Sequence, residues 1–285
     1  MAHKKNKKMV GVAAVTTLIC GIFLARYMIS NFGCVSTDDA YVEGRIHAIA
    51  SKIPGTVKLV NVTDNQIVKE GDVLIEIDPV DYELKAAEAK AGLEIRKAAL
   101  EQAGRDKDRA EVLYNEKVFP KERYENALTA FNLAKAQTDT AEAQFNIAQK
   151  NLEYTKIYAP SDGHITKKSV ETGNQIQPTQ ALMAVVPNDM WVVANFKETE
   201  LADMRPGQIV EIKIDSYPGK IFEGHVDSVQ RGTGAKFSMF PPENASGNFV
   251  KVVQRIPVKI MFDKGQDEKY PLSIGMSAVP KVKVR

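Results

Sequence analysis

The chain has 285 residues, with 38 lysines and arginines against 36 aspartates and glutamates, a length that suits about two domains. That near balance leaves no basic footprint for nucleic acid, and two cysteines make no disulfide framework. The positive charge that does cluster is N-terminal: Lys4, Lys5, Lys7 and Lys8.

Behind those lysines, Met9–Ala25 runs for 17 residues without a charge and closes on Arg26, Tyr27, Met28 and Ile29. A snorkelling Arg26 extends the apolar reach, so residues 9–29 are predicted to span a membrane as one helix. Residues 1–8 then form a cytoplasmic basic tail, with everything after the span outside. A cleaved signal peptide is the competing reading. Leu24-Ala25-Arg26-Tyr27 offers no small-x-small cleavage site, and Leu18-Ile19-Cys20 is a poor lipoprotein box, which favours an uncleaved anchor. Cys20 and Cys34 lie too far apart for an intrachain bridge. A Cys34–Cys34 link between subunits stays open, beside an idle thiol.

Residues 37–49 alternate weakly and are expected to form one extended strand leading into a C-terminal barrel. Residues 50–79 carry short β-runs at Val57–Val62 and Val73–Ile77, punctuated by Pro54-Gly55 and Lys69-Glu70-Gly71-Asp72. Residues 157–187 repeat that pattern: Gly55-Thr56-Val57 answers Gly163-His164-Ile165, and Val73-Leu74-Ile75 answers Ala181-Leu182-Met183. Asn65-Gln66-Ile67 is matched with Asn174-Gln175-Ile176, one residue further on. Two half-motifs that cannot bury a core alone imply one small β-sandwich assembled from both.

Between the halves, residues 80–156 are predicted to form an antiparallel helical hairpin. In the second arm, Pro120–Thr155, a strict seven-residue spacing links Tyr124, Phe131, Thr138, Phe145 and Leu152. Ala127, Ala134, Ala141, Ala148 and Thr155 follow three residues behind each, which is a coiled-coil seam. The first arm, Asp81–Asn115, is looser. Its seam of Ala86, Leu93, Leu100 and Tyr114 with Ala89, Ala103 and Ala110 is interrupted by Arg96 and Lys107. Each arm would reach about 50 Å. A hairpin belonging to a larger helical bundle would need a third helix, and the β-patterned flanks supply none.

Residues 188–285 turn β-rich, with strand-like runs at Trp191–Phe196, Ile209–Ile214, Phe222–Val229, Val250–Phe262 and Val279–Val284, as in a small barrel or sandwich. Lys197–Met204 reads as one short helical segment. Phe237, Met239 and Phe240 stand beside Pro241-Pro242 and are either tucked onto the barrel or offered to a partner. The four histidines, His3, His47, His164 and His225, show no metal-ligand spacing. Asn61-Val62-Thr63 and Asn244-Ala245-Ser246 match a glycosylation pattern that chance often produces, and Gly232-Thr233-Gly234 lacks the strand–helix context of a phosphate loop. No constellation reads as catalytic, metal-binding or cofactor-binding. The fold expected is α+β and mainly β: an N-terminal transmembrane helix, a split sandwich with an inserted hairpin, and a C-terminal β-barrel.

This order of parts resembles the membrane fusion proteins of the HlyD family, periplasmic adaptors of bacterial efflux and secretion systems, and among them the EmrA-type multidrug adaptors. The likeness rests on Thr37-Asp38-Asp39-Ala40-Tyr41-Val42, Val68-Lys69-Glu70-Gly71-Asp72-Val73-Leu74, Met183-Ala184-Val185-Val186-Pro187 and Asn195-Phe196-Lys197-Glu198-Thr199. It continues through Gly232-Thr233-Gly234-Ala235 and Val252-Val253-Gln254-Arg255-Ile256-Pro257-Val258. The resemblance implies a lipoyl-like sandwich in residues 50–79 and 157–187, an inner-membrane location and a periplasmic bulk. It also implies an inner-membrane transporter partner of the major facilitator type, a TolC-like outer-membrane channel, and self-association into a ring, as a trimer or hexamer. Many members carry arginine, leucine and serine at the hairpin tip for channel contact. Arg109 and Leu113 match here, whereas Pro120 stands at the serine position and lacks its hydroxyl. The hairpin is also shorter than is usual for the EmrA type.

Two other readings are weighed beside that one. An adaptor for ATP-driven type I protein or peptide secretion shares the architecture. A lipoyl- or biotin-carrying enzyme subunit would present a modified lysine on the turn after Asp78-Pro79, but the hairpin replaces that turn.

Overall fold

The computed structural model describes residues 33–237, 251–263 and 269–284. The expected membrane span at 9–29, with Met239 and Phe240, lies outside them, and no helix of the described residues is long and apolar enough to cross a membrane. Two compact units are formed, residues 46–187 and a second made of the segment before Ile46 with residues from Asn188 onward.

Residues 37–49, expected as one strand, are divided. β1 (Cys34–Ser36) and β2 (Ala40–Gly44) belong to the barrel, and β3 (His47–Ala50) to the sandwich. The break between β1 and β2 has a local cause. Thr37 Oγ1 accepts a hydrogen bond from the Asp39 amide at 3.1 Å and donates to the Asn195 carbonyl at 3.0 Å, a side-chain turn that competes with the ladder.

The sandwich takes β4 (Gly55–Val60), β5 (Ile67–Val68) and β6 (Val73–Ile77) from the first half. The second half supplies β7 (Lys156–Tyr158), β8 (Gly163–Thr166), β9 (Gln175–Ile176) and β10 (Ala181–Val186). One sheet runs β3-β10-β8-β5 and the other β7-β6-β4-β9. Each sheet therefore draws on both halves, in the same order with the halves exchanged. The halves correspond residue for residue without an insertion, which corrects the one-residue offset read at Asn65. Asn65 (φ 63°) corresponds to Gly173 (φ 88°), and Gly71 (φ 86°) to Thr179 (φ 67°). Paired turns repeat too. The Thr63 amide donates to Gln66 Oε1 and the Glu171 amide to Asn174 Oδ1, each at 2.9 Å. The shared Asn-Gln-Ile string suggests one match, while the conformation follows the left-handed turn residue. Between the sheets lie Val57, Leu74, Ile75, Ile77, Ile165, Ile176, Leu182 and Val185, all fully buried.

From β6 the chain enters α1 (Val80–Asn115) and returns through α2 (Lys121–Glu153). All ten seam positions of the second arm are buried or half-buried. On the first arm, Ala86, Leu93 and Ala110 are buried. The two interruptions are accommodated differently. Arg96 stays exposed and donates to Gln137 Oε1 at 3.1 Å, while Lys107 lays its ammonium 5.3 Å from the Phe131 ring centroid. Long basic side chains can cover a seam with their stems and keep the charge wet. At the same level Thr138 Oγ1 donates across the pair to the Arg96 carbonyl, at 3.2 Å.

The second unit adds β11 (Met190–Lys197), β12 (Ile209–Ile214), β13 (Ile221–Val229), the four-residue α3 (Gly234–Phe237), β14 (Arg255–Phe262) and β15 (Ala278–Lys283). Its sheet runs β1-β15-β12-β13-β14-β11-β2. Tyr41 pairs with Ser277, and the Val42 amide donates to the Met276 carbonyl at 2.8 Å. β2 thus meets the strand that β1 also joins, and the sheet of the described residues closes on itself. Alternation does the rest: Met190, Val192, Ala194 and Phe196 point inward along β11. The expected helix at Lys197–Met204 shrinks to one 3-10 turn, Glu198–Glu200. Its capping contact, from the Lys197 amide to Glu200 Oε2 at 3.0 Å, closes a single turn, and buried Met204 then ties the chain to the barrel. β14 begins at Arg255 rather than Val250, with Val252 and Val253 exposed before it.

Candidate functional site: the hairpin tip

The tip is built by the way α1 ends. Lys117 adopts a left-handed conformation (φ 63°). Its amide donates to the Tyr114 carbonyl at 2.9 Å, and the Val118 amide donates to the Leu113 carbonyl at 2.8 Å. These two bonds make a Schellman C-cap, in which glycine is the usual left-handed residue. Pro120 (φ −66°, ψ 152°) then sits just before α2, where a missing N–H costs nothing. The arms are held together below the turn by Tyr114 and Tyr124, stacked 5.5 Å apart and 8° from parallel. Because a lysine carries a Cβ that the left-handed region disfavours, Lys117→Gly should stabilise the hairpin by up to about 1 kcal/mol. A raised thermal midpoint of the helical circular dichroism signal is the readout.

Arg109 and Leu113 stand four residues apart and so share one face of α1. Arg109 is well exposed, its side chain 68% accessible, and is paired with Asp106 one turn back. The hydrogen bond from Arg109, and then that from Gln102, holds the Asp106 carboxyl below the usual carboxylate range. Leu113 is half-buried, and its carbonyl also accepts the Phe119 amide at 3.1 Å, so it helps form the turn itself. Pro120 is exposed across that turn. Reading the sequence for seam positions missed Val112 and Val118, which are 56% and 63% exposed. Val112 falls off the heptad and Val118 lies in the connection, and apolar residues off the seam were the available signal. Phe119 completes the apolar side, with the Arg123 guanidinium 5.2 Å from its ring.

The second candidate contact is the loop that carries Phe237, Met239 and Phe240. The backbone of Phe237 ends α3, and the other two residues are outside the described part. Among the described residues no group of three or more His, Cys, Asp or Glu could hold a metal ion.

The candidate site is thus an exposed apolar and basic tip on a long two-helix arm. Residues 45–188 match the family model described as "RND MFP, barrel-sandwich hybrid domain", and residues 189–283 match "AAEA-like beta-barrel domain". The chain belongs to the membrane fusion protein family, whose members are non-enzymatic adaptors. It is 38% identical to the multidrug export protein EmrA of Escherichia coli over 86% of this chain and 75% of that one. It is 33% identical to the multidrug export protein EmrA of Haemophilus influenzae over 98% and 84%. The solved membrane fusion protein Spr0693 of Streptococcus pneumoniae shares the fold, with a TM-score of 0.65 at 16% identity over 88% of this chain and 99% of that one.

Proposed function

We propose that the protein is the periplasmic adaptor of a multidrug efflux system. It links an inner-membrane transporter of the major facilitator type to a TolC-like outer-membrane channel. The observation that carries this reading is the arm itself: two helices of 36 and 33 residues, about 50 Å long, ending in a tip where Arg109, Val112 and Val118 face solvent. Similarity to two multidrug export proteins supplies the class of cargo. In this account residues 9–29 hold the chain in the inner membrane, copies assemble side by side into a ring, and the arms extend toward the channel. No bond of the cargo is made or broken.

Arg109→Glu tests the tip. An exposed helix-surface change costs under about 0.5 kcal/mol, with a few tenths more from the new repulsion of Asp106, so the fold survives. Channel capture by the cross-linked protein should fall severalfold, and cells carrying only this variant should become as susceptible to lipophilic compounds as a deletion strain. Unchanged capture together with unchanged susceptibility would remove Arg109 from the contact. A deletion strain no more susceptible than its parent would remove the efflux reading.

A further inference from the structure

Each helix of the arm carries a second apolar stripe, on the side turned away from the other helix. On α1 it is Val80, Leu84, Ala87, Ala91, Ile95 and Ala98; on α2 it is Thr129, Leu133, Ala136, Thr140, Ala143 and Ile147. Steps of three and four residues keep each set on one helix face. The buried seam residues Leu93 and Thr138 lie on the opposite faces. Every residue of both stripes is exposed, and the largest, Val80, Leu84, Ile95, Leu133 and Ile147, are each more than half so. A helix face that stays in water is ordinarily polar or charged, yet neither stripe holds a charge over about five turns. The two threonine hydroxyls already donate to their own helix, Thr129 to the Glu125 carbonyl and Thr140 to the Ala136 carbonyl, each at 2.8 Å. Covering them therefore leaves no polar group unsatisfied.

We propose that these stripes join the arms of neighbouring copies, α1 of one against α2 of the next, with the neighbours out of level by about two helical turns. Set antiparallel, the stripes match layer by layer: Val80 with Ile147, Leu84 with Ala143, Ala87 with Thr140, Ala91 with Ala136, Ile95 with Leu133 and Ala98 with Thr129. Large residues meet near both ends, and the small layers between them let the backbones come close. The match also fixes the register. Within one hairpin Arg96 lies level with Gln137 and Thr138, and Gly104 with Phe131, which sets Ala91 level with Gln144. Between copies Ala91 meets Ala136 instead, a step of about eight residues and about 12 Å. Charge favours the same step. At the borders of the stripes Lys90 then faces Asp139 and Glu94 faces Asn132, whereas level neighbours would set Glu94 against Asp139. Neither Lys90 nor Asp139 has an ion-pair partner among the described residues. Contact between two different faces is heterologous, and such contacts close into a ring when the rotation allows. Arms inclined to the ring axis absorb the step. The inference rests on the ring of the proposed function and specifies how its arms meet.

The test is disulfide trapping of the full-length chain in native membranes, with Cys20→Ser and Cys34→Ser removing the native thiols. A disulfide needs its two Cα atoms within about 7 Å. Ala91 and Ala136 lie on opposite outer faces of one hairpin, so a bond between cysteines at these positions must join two copies. Under mild copper oxidation the pair Ala91→Cys, Ala136→Cys should give a ladder of linked species on a non-reducing gel. The pair Ala91→Cys, Gln144→Cys, placed for level neighbours, should give none. Adding Leu133→Glu to the first pair should cut the ladder at least about tenfold, since a carboxylate would be buried between arms. The purified Leu133→Glu chain should keep its helical circular dichroism, because Leu133 faces water within a single hairpin. A ladder from the Gln144 pair in place of the Ala136 pair would overturn the step. A ladder indifferent to Leu133→Glu would overturn the contact. So would no ladder from either pair while the chain still sediments as an oligomer, which would leave the ring standing on other surfaces. A chain that sediments as a monomer throughout would remove the ring reading as well.

Discussion

Gly163→Val should unfold the sandwich. A Cβ at this position would lie 2.5 Å from the carbonyl oxygen of Val186 and 2.8 Å from its carbon. The obstacle is backbone, and it cannot swing aside as a side chain would. Val186 belongs to β10, an inner strand bonded to β3 on one side and β8 on the other. Relief requires one of those ladders to open. Overpacking ordinarily costs about 1–3 kcal/mol, and with an immovable carbonyl the expected loss is at the top of that range or above it. Trp191, the sole tryptophan, lies on β11 of the other unit. Its fluorescence therefore follows the barrel, whereas helical circular dichroism follows the hairpin unit. In urea the dichroism midpoint should drop sharply and the tryptophan midpoint should stay. Coincident midpoints equal to those of the parent would show that the strands have room to yield.

The second large effect is expected from Leu93→Asp. Leu93 is 4% exposed in the seam of α1, at a level where α2 contributes buried Thr138 and Ala141. Truncating a buried leucine costs about 2–5 kcal/mol, and a carboxylate placed there must be desolvated or protonated as well. Packing, rather than propensity, stabilises most protein helices, so the arms should separate and lose much of their helical signal. Tryptophan fluorescence should be unaffected. Channel capture should disappear with the arm, in contrast to Arg109→Glu, where the arm persists and only the contact is lost. Retained helicity in Leu93→Asp would mean that the arms do not depend on their mutual seam.

The long-period features of this fold are legible in the sequence because they repeat. Ten positions from Tyr124 to Thr155 keep one spacing, and every one is buried or half-buried in the structure. Gly55 and Gly163, or Leu74 and Leu182, announce a duplicated half-motif in the same way. Local turns are less legible, since they depend on conformation rather than residue type. Asn65 and Gly173 correspond because both are left-handed, although the letters invite a different match. The break between β1 and β2 was hidden for a related reason: the Thr37 hydroxyl's partner is Asn195, distant in the chain. Closure of the barrel through Tyr41 and Ser277 is likewise a long-range pairing that no local pattern announces. At the tip, Arg109, Leu113 and Pro120 come from family resemblance. Val112 and Val118 emerge only when the helix faces are assigned, because their exposure depends on which positions α2 covers.

The central claim is tested most directly by cross-linking the full-length protein in its native membranes and identifying the captured partners by mass spectrometry. The account predicts a major facilitator transporter together with a TolC-like channel, the channel being lost selectively from Arg109→Glu. Capture of an ATP-binding-cassette exporter instead would contradict the multidrug-efflux assignment and make the protein an adaptor for secretion. Capture of neither a transporter nor a channel would contradict the adaptor role itself.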